Sequence, residues 1–180
     1  MTVETNPSDC GIWNKEGSCL IPLALMETLP LYHRETIPTD YLDIMGHMNI
    51  RWYFDLFAKS GRKFFASHGL DNFYFRGGKF GLFTLKQFIQ YFAEVHVGQT
   101  VAIHTRLIGR SEKRFQFMQF MINQTTSRLA STFEALITHA DLKLRLAAPM
   151  PAQIAQKFDA TLSKDETLDW EAPVCGVMRL

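Results

Sequence analysis

The chain has 180 residues, of which 47% are hydrophobic, enough for one domain with a real core. Its formal net charge is +1, too weak a field for nucleic acid or an acidic membrane surface. Three cysteines, Cys10, Cys19 and Cys175, form no C-x-x-C pair and no His/Cys zinc cluster, so reduced thiols in a cytoplasmic protein without a metal are expected. No apolar run approaches the roughly 20 residues that span a bilayer.

Residues 1–30 are rich in Asn, Pro, Ser, Gly and Glu and read as an irregular N-terminal extension that packs Trp13 or Leu23 onto the body. A first strand is expected over 31–37, closed by Pro38, which cannot donate to a ladder. A polar loop follows, Pro38 to His47, holding Asp40, Asp43 and Gly46, and a long helix begins after Asn49. Ile50, Tyr53, Phe54, Phe57, Gly61, Phe64, Phe65 and His68 recur at i, i+3, i+4, i+7 spacing as one apolar stripe. Asp55 and Lys59 form an i,i+4 pair. Asn49 suits the N-cap and Gly69 the C′ position. Gly61, on the stripe, implies close approach of the helix to a sheet.

Beyond the helix the period changes. A short strand is expected over 73–76, then a long apolar segment over 80–94, and strands over 100–108, 114–122 and 129–142, separated by turns at 96–98, 109–113 and 123–127. Short turns between successive strands imply an antiparallel meander. One long helix against it gives an α+β layer pair. Pro149 and Pro151 end the body, so the expected organisation is an extension over 1–30, a domain over 31–148, and a C-terminal short helix (152–161) with a mobile acidic tail over 149–180.

The chemistry concentrates in Asp43-Ile44-Met45-Gly46-His47-Met48-Asn49. A carboxylate, a glycine that lets backbone N–H groups approach a ligand, a histidine and the positive end of a helix lie within seven residues. Strand, D-x-x-G-H-x-N, long helix and antiparallel strands together resemble the hotdog-fold thioesterases of the 4-hydroxybenzoyl-CoA thioesterase type. Phe83-Thr84-Leu85, Lys113-Arg114 and His139-Ala140-Asp141 are similar to the branch that includes betainyl-CoA thioesterases. The resemblance covers roughly residues 31–158. It departs at Ile50, where many relatives carry a second asparagine, a difference that leaves the acyl group open.

The resemblance implies a hotdog fold, one long central helix wrapped by a five- to six-stranded antiparallel sheet. It implies hydrolysis of an acyl-CoA, with coenzyme A entering as part of the substrate and no separate cofactor, and a homodimer or dimer of dimers with sites between subunits. Asp43 is the expected nucleophile or general base. His47 orients it, bonds the substrate carbonyl or braces the loop. Gly46 and Asn49 supply oxyanion or loop support, Asn49 also as a helix cap. Tyr53 and Thr84 are substrate-contact candidates, Tyr53 also a packing residue. Lys113 and Arg114, a basic pair at a turn, either grip coenzyme A phosphates or form a solvated hairpin. Glu94 is the next carboxylate if Asp43 is not the catalyst. Ser60 and Ser67 lack a G-x-S-x-G context, and the histidines share no metal spacing. Two other readings stand beside hydrolysis: a non-catalytic acyl-CoA binder, against which the retained Asp43 speaks, and a hotdog hydratase.

Overall fold

The computed structural model describes residues 10–13 and 19–180. Its elements in order are β1 (Cys10–Trp13), β2 (Cys19–Pro22), α1 (Leu23–Glu27), β3 (Leu31–Thr36), a 3-10 turn (Thr39–Tyr41), α2 (Ile50–Ser67), α3 (Asn72–Arg76), β4 (Phe80–Tyr91), β5 (Thr100–Arg110), β6 (Arg114–Asn123), β7 (Arg128–Asp141), β8 (Leu146–Ala147) and α4 (Ala152–Asp165). β1 and β2 pair with each other, and the main sheet runs β3-β5-β6-β7-β4 with β8 on β7. Pairing is antiparallel at β3/β5 and β7/β8, and the short β5–β6 and β6–β7 turns can join only antiparallel neighbours. The described chain divides into two compact units, one of Met1–Ser60, Gln90–Thr105 and Gln119–Thr132, the other of Gly61–Ile89, Arg106–Met118 and Phe133–Leu180.

Helix α2 begins and ends where its sequence dictates. The Asn49 side chain accepts from the Arg51 N–H at 3.1 Å, satisfying one of the helix's orphan donors. At the other end Leu70 N–H reaches the Phe65 carbonyl and Gly69 N–H the Ala66 carbonyl, both at 2.9 Å. Gly69 adopts φ +89°, so the helix closes in a Schellman motif that favours glycine at that position. The expected Asp55–Lys59 pair is present at 3.1 Å.

The buried stripe is narrower and rotated from the expected one. Tyr53, Leu56, Phe57, Ser60, Phe64 and His68 are buried, whereas Ile50 and Phe54 are exposed. At 3.6 residues per turn Phe54 lies about 100° from Tyr53 and cannot share its line of contact. In the first unit Gln119 of β6 donates from Nε2 to Ser60 at 2.9 Å and to Thr105 of β5 at 3.2 Å. In the second, Phe64 and Phe65 meet Phe117, with ring centroids 5.3 and 5.6 Å apart. Each unit thus packs its own part of the helix on its own part of the sheet.

The central strands are buried on both faces. The inward polar side chains on them are tied down: Gln116 donates to Glu134 at 2.6 Å, and Asn123 donates to Gln99 at 2.8 Å. Burial of such groups is tolerable only with partners in place.

Four expectations are corrected. The 73–76 segment is a helix, because Asp71 caps it through the Tyr74 N–H at 2.9 Å and a local cap outweighs strand propensity. Residues 1–30 are not irregular where they are described: β1, β2 and α1 occupy that span, and Leu23 is buried. The expected packing of Trp13 lies outside the described side chains. Cys10 is disulfide-bonded, not reduced, while Cys175 is free. The C-terminal tail is docked, not mobile. Arg106 donates to the carbonyls of Trp170 (2.6 Å) and Asp165 (3.1 Å) and lies 4.4 Å over the Trp170 ring. Cys175 N–H donates to Glu134 at 2.7 Å and Lys86 to the Val177 carbonyl at 2.8 Å. The tail has no apolar period because it is held by backbone carbonyls and isolated anchors, not by a helical face. Helix α4 does carry Ile154 and Phe158 inward, with Phe158 stacked 4.2 Å from His68.

Gly61 has no close sheet neighbour to explain it. A Cβ built there meets only the Phe65 ring, at 3.6 Å, an ordinary contact. Gly61→Ala therefore removes backbone entropy from the unfolded chain without a clash. It should stabilise the protein by about 1 kcal/mol, read as a rise in the urea midpoint with an unchanged m-value.

Candidate active site

The D-x-x-G-H-x-N stretch folds as a small closed hairpin. Asn49 N–H donates to the Tyr41 carbonyl at 2.9 Å, Asp43 N–H to the His47 carbonyl at 3.0 Å and Gly46 N–H to the Asp43 carbonyl at 3.1 Å. Leu42 and Met48 form an antiparallel bridge between them. Gly46 turns the tip at φ +83°, a conformation costly for other residues. The five-residue spacing of Asp43 and His47 thus makes them cross-strand partners whose side chains meet on one side. His47 Nδ1 lies 3.5 Å from Asp43 Oδ2.

The hairpin is pinned from outside. Met48 N–H donates to the Val95 carbonyl at 2.7 Å, which lays residues 93–96 alongside it. Glu94 and His96 arrive with that segment. Glu94 Oε1 stands 4.0 Å from His47 Nε2, and its Oε2 is 3.7 Å from His96 Nε2. His96 Nδ1 lies 3.1 Å from the Gly46 carbonyl. His47 is therefore flanked by two carboxylates, one on each ring nitrogen.

Asp43 is held asymmetrically. Its Oδ1 accepts from the Met45 N–H at 2.8 Å, which leaves Oδ2 as the oxygen facing His47. Among the described residues the backbone N–H of His47 finds no acceptor, and the Ile50 N–H stands free as the first donor of α2. Both are available to an anionic oxygen.

A cavity of about 280 Å³ opens beside this group, lined by His47, Met48, Ile50, Tyr53, Tyr91, Phe92, Ala93 and Glu94. Tyr53 is buried, its ring edge-on to Tyr91 at 5.1 Å. Its hydroxyl donates to the Ala93 carbonyl at 3.4 Å, and burial pushes it up to about 12, so it stays protonated. Ile44, Met45 and Ile50 at the hairpin tip and helix start are exposed to 104%, 74% and 66%, an apolar rim that no described residue covers.

The hairpin brings Asp43, Gly46, His47 and Asn49 together, and of these His47 lines the cavity with Tyr53. Thr84, Lys113 and Arg114 belong to the second unit and do not line this cavity. Thr84 is exposed on β4. Arg114 reaches the Arg179 carbonyl at 3.5 Å, and the Lys113 carbonyl accepts from His139 N–H at 2.8 Å. Sequence reasoning missed Tyr91, Phe92 and His96. The signal was present in Y-F-A-E-V-H, an aromatic and titratable cluster at the end of a strand, but only the Met48–Val95 bond shows where it lands. Among the described residues no group of three or more His, Cys, Asp or Glu is disposed to hold a metal ion.

A sequence profile described as the thioesterase-like superfamily matches residues 37–158. The chain belongs to that superfamily. Among characterised relatives, an L-carnitine dehydrogenase/betainyl-CoA thioesterase of Rhizobium meliloti (strain 1021) is 25% identical over 158 residues, 88% of this chain and 32% of the relative. A betainyl-CoA thioesterase of Pseudomonas aeruginosa PAO1 is 23% identical over 136 residues, 76% of this chain and 85% of the relative. The chain spans about a third of the length of the two-function relatives it matches. Among solved structures, a Staphylococcus aureus hypothetical protein in complex with CoA superposes with a TM-score of 0.75 at 20% identity, over 84% of this chain and 96% of that one. A 1,4-dihydroxy-2-naphthoyl-CoA thioesterase from Synechocystis gives 0.64 at 16% identity, over 74% and 96%. The α+β hotdog arrangement of the superfamily is therefore the fold of this chain. Among its described residues, no helix is long and apolar enough to cross a membrane.

A Cβ at Gly46 would meet nothing within 4 Å. Any cost of Gly46→Ala is therefore backbone strain alone, about 1 kcal/mol, and should appear in urea unfolding as a lowered midpoint.

Proposed function

We propose that the protein is an acyl-CoA thioesterase, releasing a free carboxylic acid and coenzyme A, with Asp43 as nucleophile or general base. The observation that carries this reading is the Asp43–His47 contact at 3.5 Å beside an aromatic cavity and the start of α2, where the Ile50 N–H has no partner among the described residues. Hydrolysis of a thioester needs an oxygen nucleophile and a site for the carbonyl oxygen as it becomes anionic. Asp43 Oδ2 is the oxygen not fixed by the loop. It attacks the carbonyl to form a mixed anhydride that water then opens, or it takes a proton from the attacking water. The His47 and Ile50 N–H groups are the donors for the developing oxyanion. His47, between two carboxylates, is placed to orient Asp43 and to pass a proton to the departing thiolate.

The cavity supports a finer proposal about the acyl group. Tyr53, Tyr91 and Phe92 present aromatic surface, and Glu94 adds negative charge. That combination favours a compact cationic acyl group through cation–π attraction, in keeping with the betainyl-CoA thioesterase relatives. Lys113 and Arg114 are proposed contacts for coenzyme A phosphates and Thr84 a proposed substrate contact. A cytoplasmic location is part of the same proposal, although the Cys10 disulfide removes the support that reduced thiols would have given it.

A homodimer or dimer of dimers completes the proposal. β4 is an edge strand of twelve residues that exposes Phe83, Leu85, Phe88 and Tyr91. A long, unpaired, apolar edge is ordinarily covered, and a second copy covers it symmetrically. The exposed Ile44, Met45 and Ile50 fit the same role at the mouth of the cavity.

Thiol release from a panel of acyl-CoAs tests the activity. Asp43→Asn should lower kcat on the best substrate by at least about 10²-fold, with a much smaller change in KM; retention of most activity would remove Asp43 from the catalytic role. Within that panel betainyl-CoA should outperform its neutral tert-butyl isostere by about tenfold, the scale of a partly desolvated cation–π contact. Light scattering at micromolar concentration should give at least twice the chain mass, and a monomer there would refute the assembly.

A further inference from the structure

We infer that Tyr41 is a positioning residue for the Asp43 hairpin, locked from its far side by Glu35 and Lys59; the inference rests on the catalytic reading of Asp43 given above. Tyr41 closes the hairpin's base, since its carbonyl accepts the Asn49 N–H at 2.9 Å. Asp43 follows only two residues later. Whatever fixes Tyr41 fixes the stem on which Asp43 and His47 face each other.

Its side chain is fixed on every side. The hydroxyl donates to Glu35 Oε1 of β3 at 2.7 Å. Lys59 of α2 donates to that hydroxyl at 3.1 Å and to Glu35 Oε2 at 3.2 Å. Asp55 holds Lys59 at 3.1 Å, and His33 Nε2 lies 2.8 Å from Glu35 Oε2. The Tyr41 ring stacks on Trp52 at 3.8 Å and 8°, and the Arg51 guanidinium lies 4.4 Å from the Trp52 ring centroid. Burial opposes ionisation of Glu35, but its bonds with Tyr41, His33 and Lys59 keep its carboxyl below the ordinary range. The carboxylate therefore stays ionised, and the bonds it makes are charge-assisted.

Strand β3, the 3-10 turn and two turns of α2 thus converge on one phenol, in a network whose members reinforce each other. None of these groups lines the cavity. Such a group acts on rate only through the placement of another, and a reacting pair is sensitive to displacements well below the size of a side chain.

Tyr41→Phe keeps the ring and its stack on Trp52 and removes only the hydroxyl. It should lower kcat for acyl-CoA hydrolysis by about tenfold while KM stays within about twofold. Glu35→Gln, whose one carbonyl oxygen still accepts from Tyr41, should retain more of kcat than Glu35→Ala. Hydrogen exchange supplies a readout independent of activity. In Tyr41→Phe the amides of Asp43, Gly46, Met48 and Asn49 should exchange at least about fivefold faster, while those of β6 keep their rates. Unchanged hairpin exchange, or equal acceleration in β6, would overturn the inference, the second because it marks general destabilisation. If the unaltered protein hydrolyses no acyl-CoA, the catalytic reading falls, and the exchange data still decide whether Tyr41 holds the hairpin.

Discussion

The hydrogen bond from Met48 to the Val95 carbonyl, 2.7 Å long, is the constraint on which the site depends. A seven-residue loop with a glycine at its tip has many closures available. This bond selects one, because it joins the hairpin to a segment already fixed by Phe92 N–H on the Ala130 carbonyl at 2.9 Å. Register then does the rest. Once Met48 is placed, Asp43 and His47 face each other, Asn49 falls at the head of α2, and Glu94 and His96 stand across the imidazole. A slip of one residue at Met48 would send each of these side chains to the opposite side.

The geometry also divides labour between the two carboxylates. Asp43 is mostly enclosed, with one oxygen committed to the Met45 N–H, whereas Glu94 is two-thirds exposed. The first has a defined direction and little water around it. The second stands in bulk water. An imidazole between an enclosed carboxylate and an open one connects the interior of the site to bulk water without moving the chain.

Much of this was legible in the residues. The i, i+3, i+4 run marked α2, and Asn49 and Gly69 marked its ends, because cap preferences are local and need no knowledge of the fold. D-x-x-G-H-x-N marked the loop for the same reason: the bonds internal to the hairpin lie within nine residues, although the bond to Val95 that pins it does not. The parts that escaped depend on distant partners. Which helix residues are buried follows from where β5 and β6 lie, so Phe54 was wrongly placed inside and Leu56 passed over. The 73–76 segment reads as a strand by composition until the Asp71 cap is seen. Tyr91, Phe92 and His96 enter the site only through a bond between positions 48 and 95. The tail over 166–180 has no period at all, since its anchors are single residues that meet partners more than forty positions away.

The docked tail bears on how the chain reaches its final state. Glu134 lies fully buried in β7, and one of its two oxygens is satisfied by the Cys175 N–H. During synthesis β6 and β7 emerge some forty residues ahead of that donor, and segments made first begin to fold first. Until Cys175 arrives, the Glu134 side chain has Gln116 as its amide partner and lacks the donor to its other oxygen. The last residues of the chain thus complete the hydrogen bonding of a strand made some forty residues earlier.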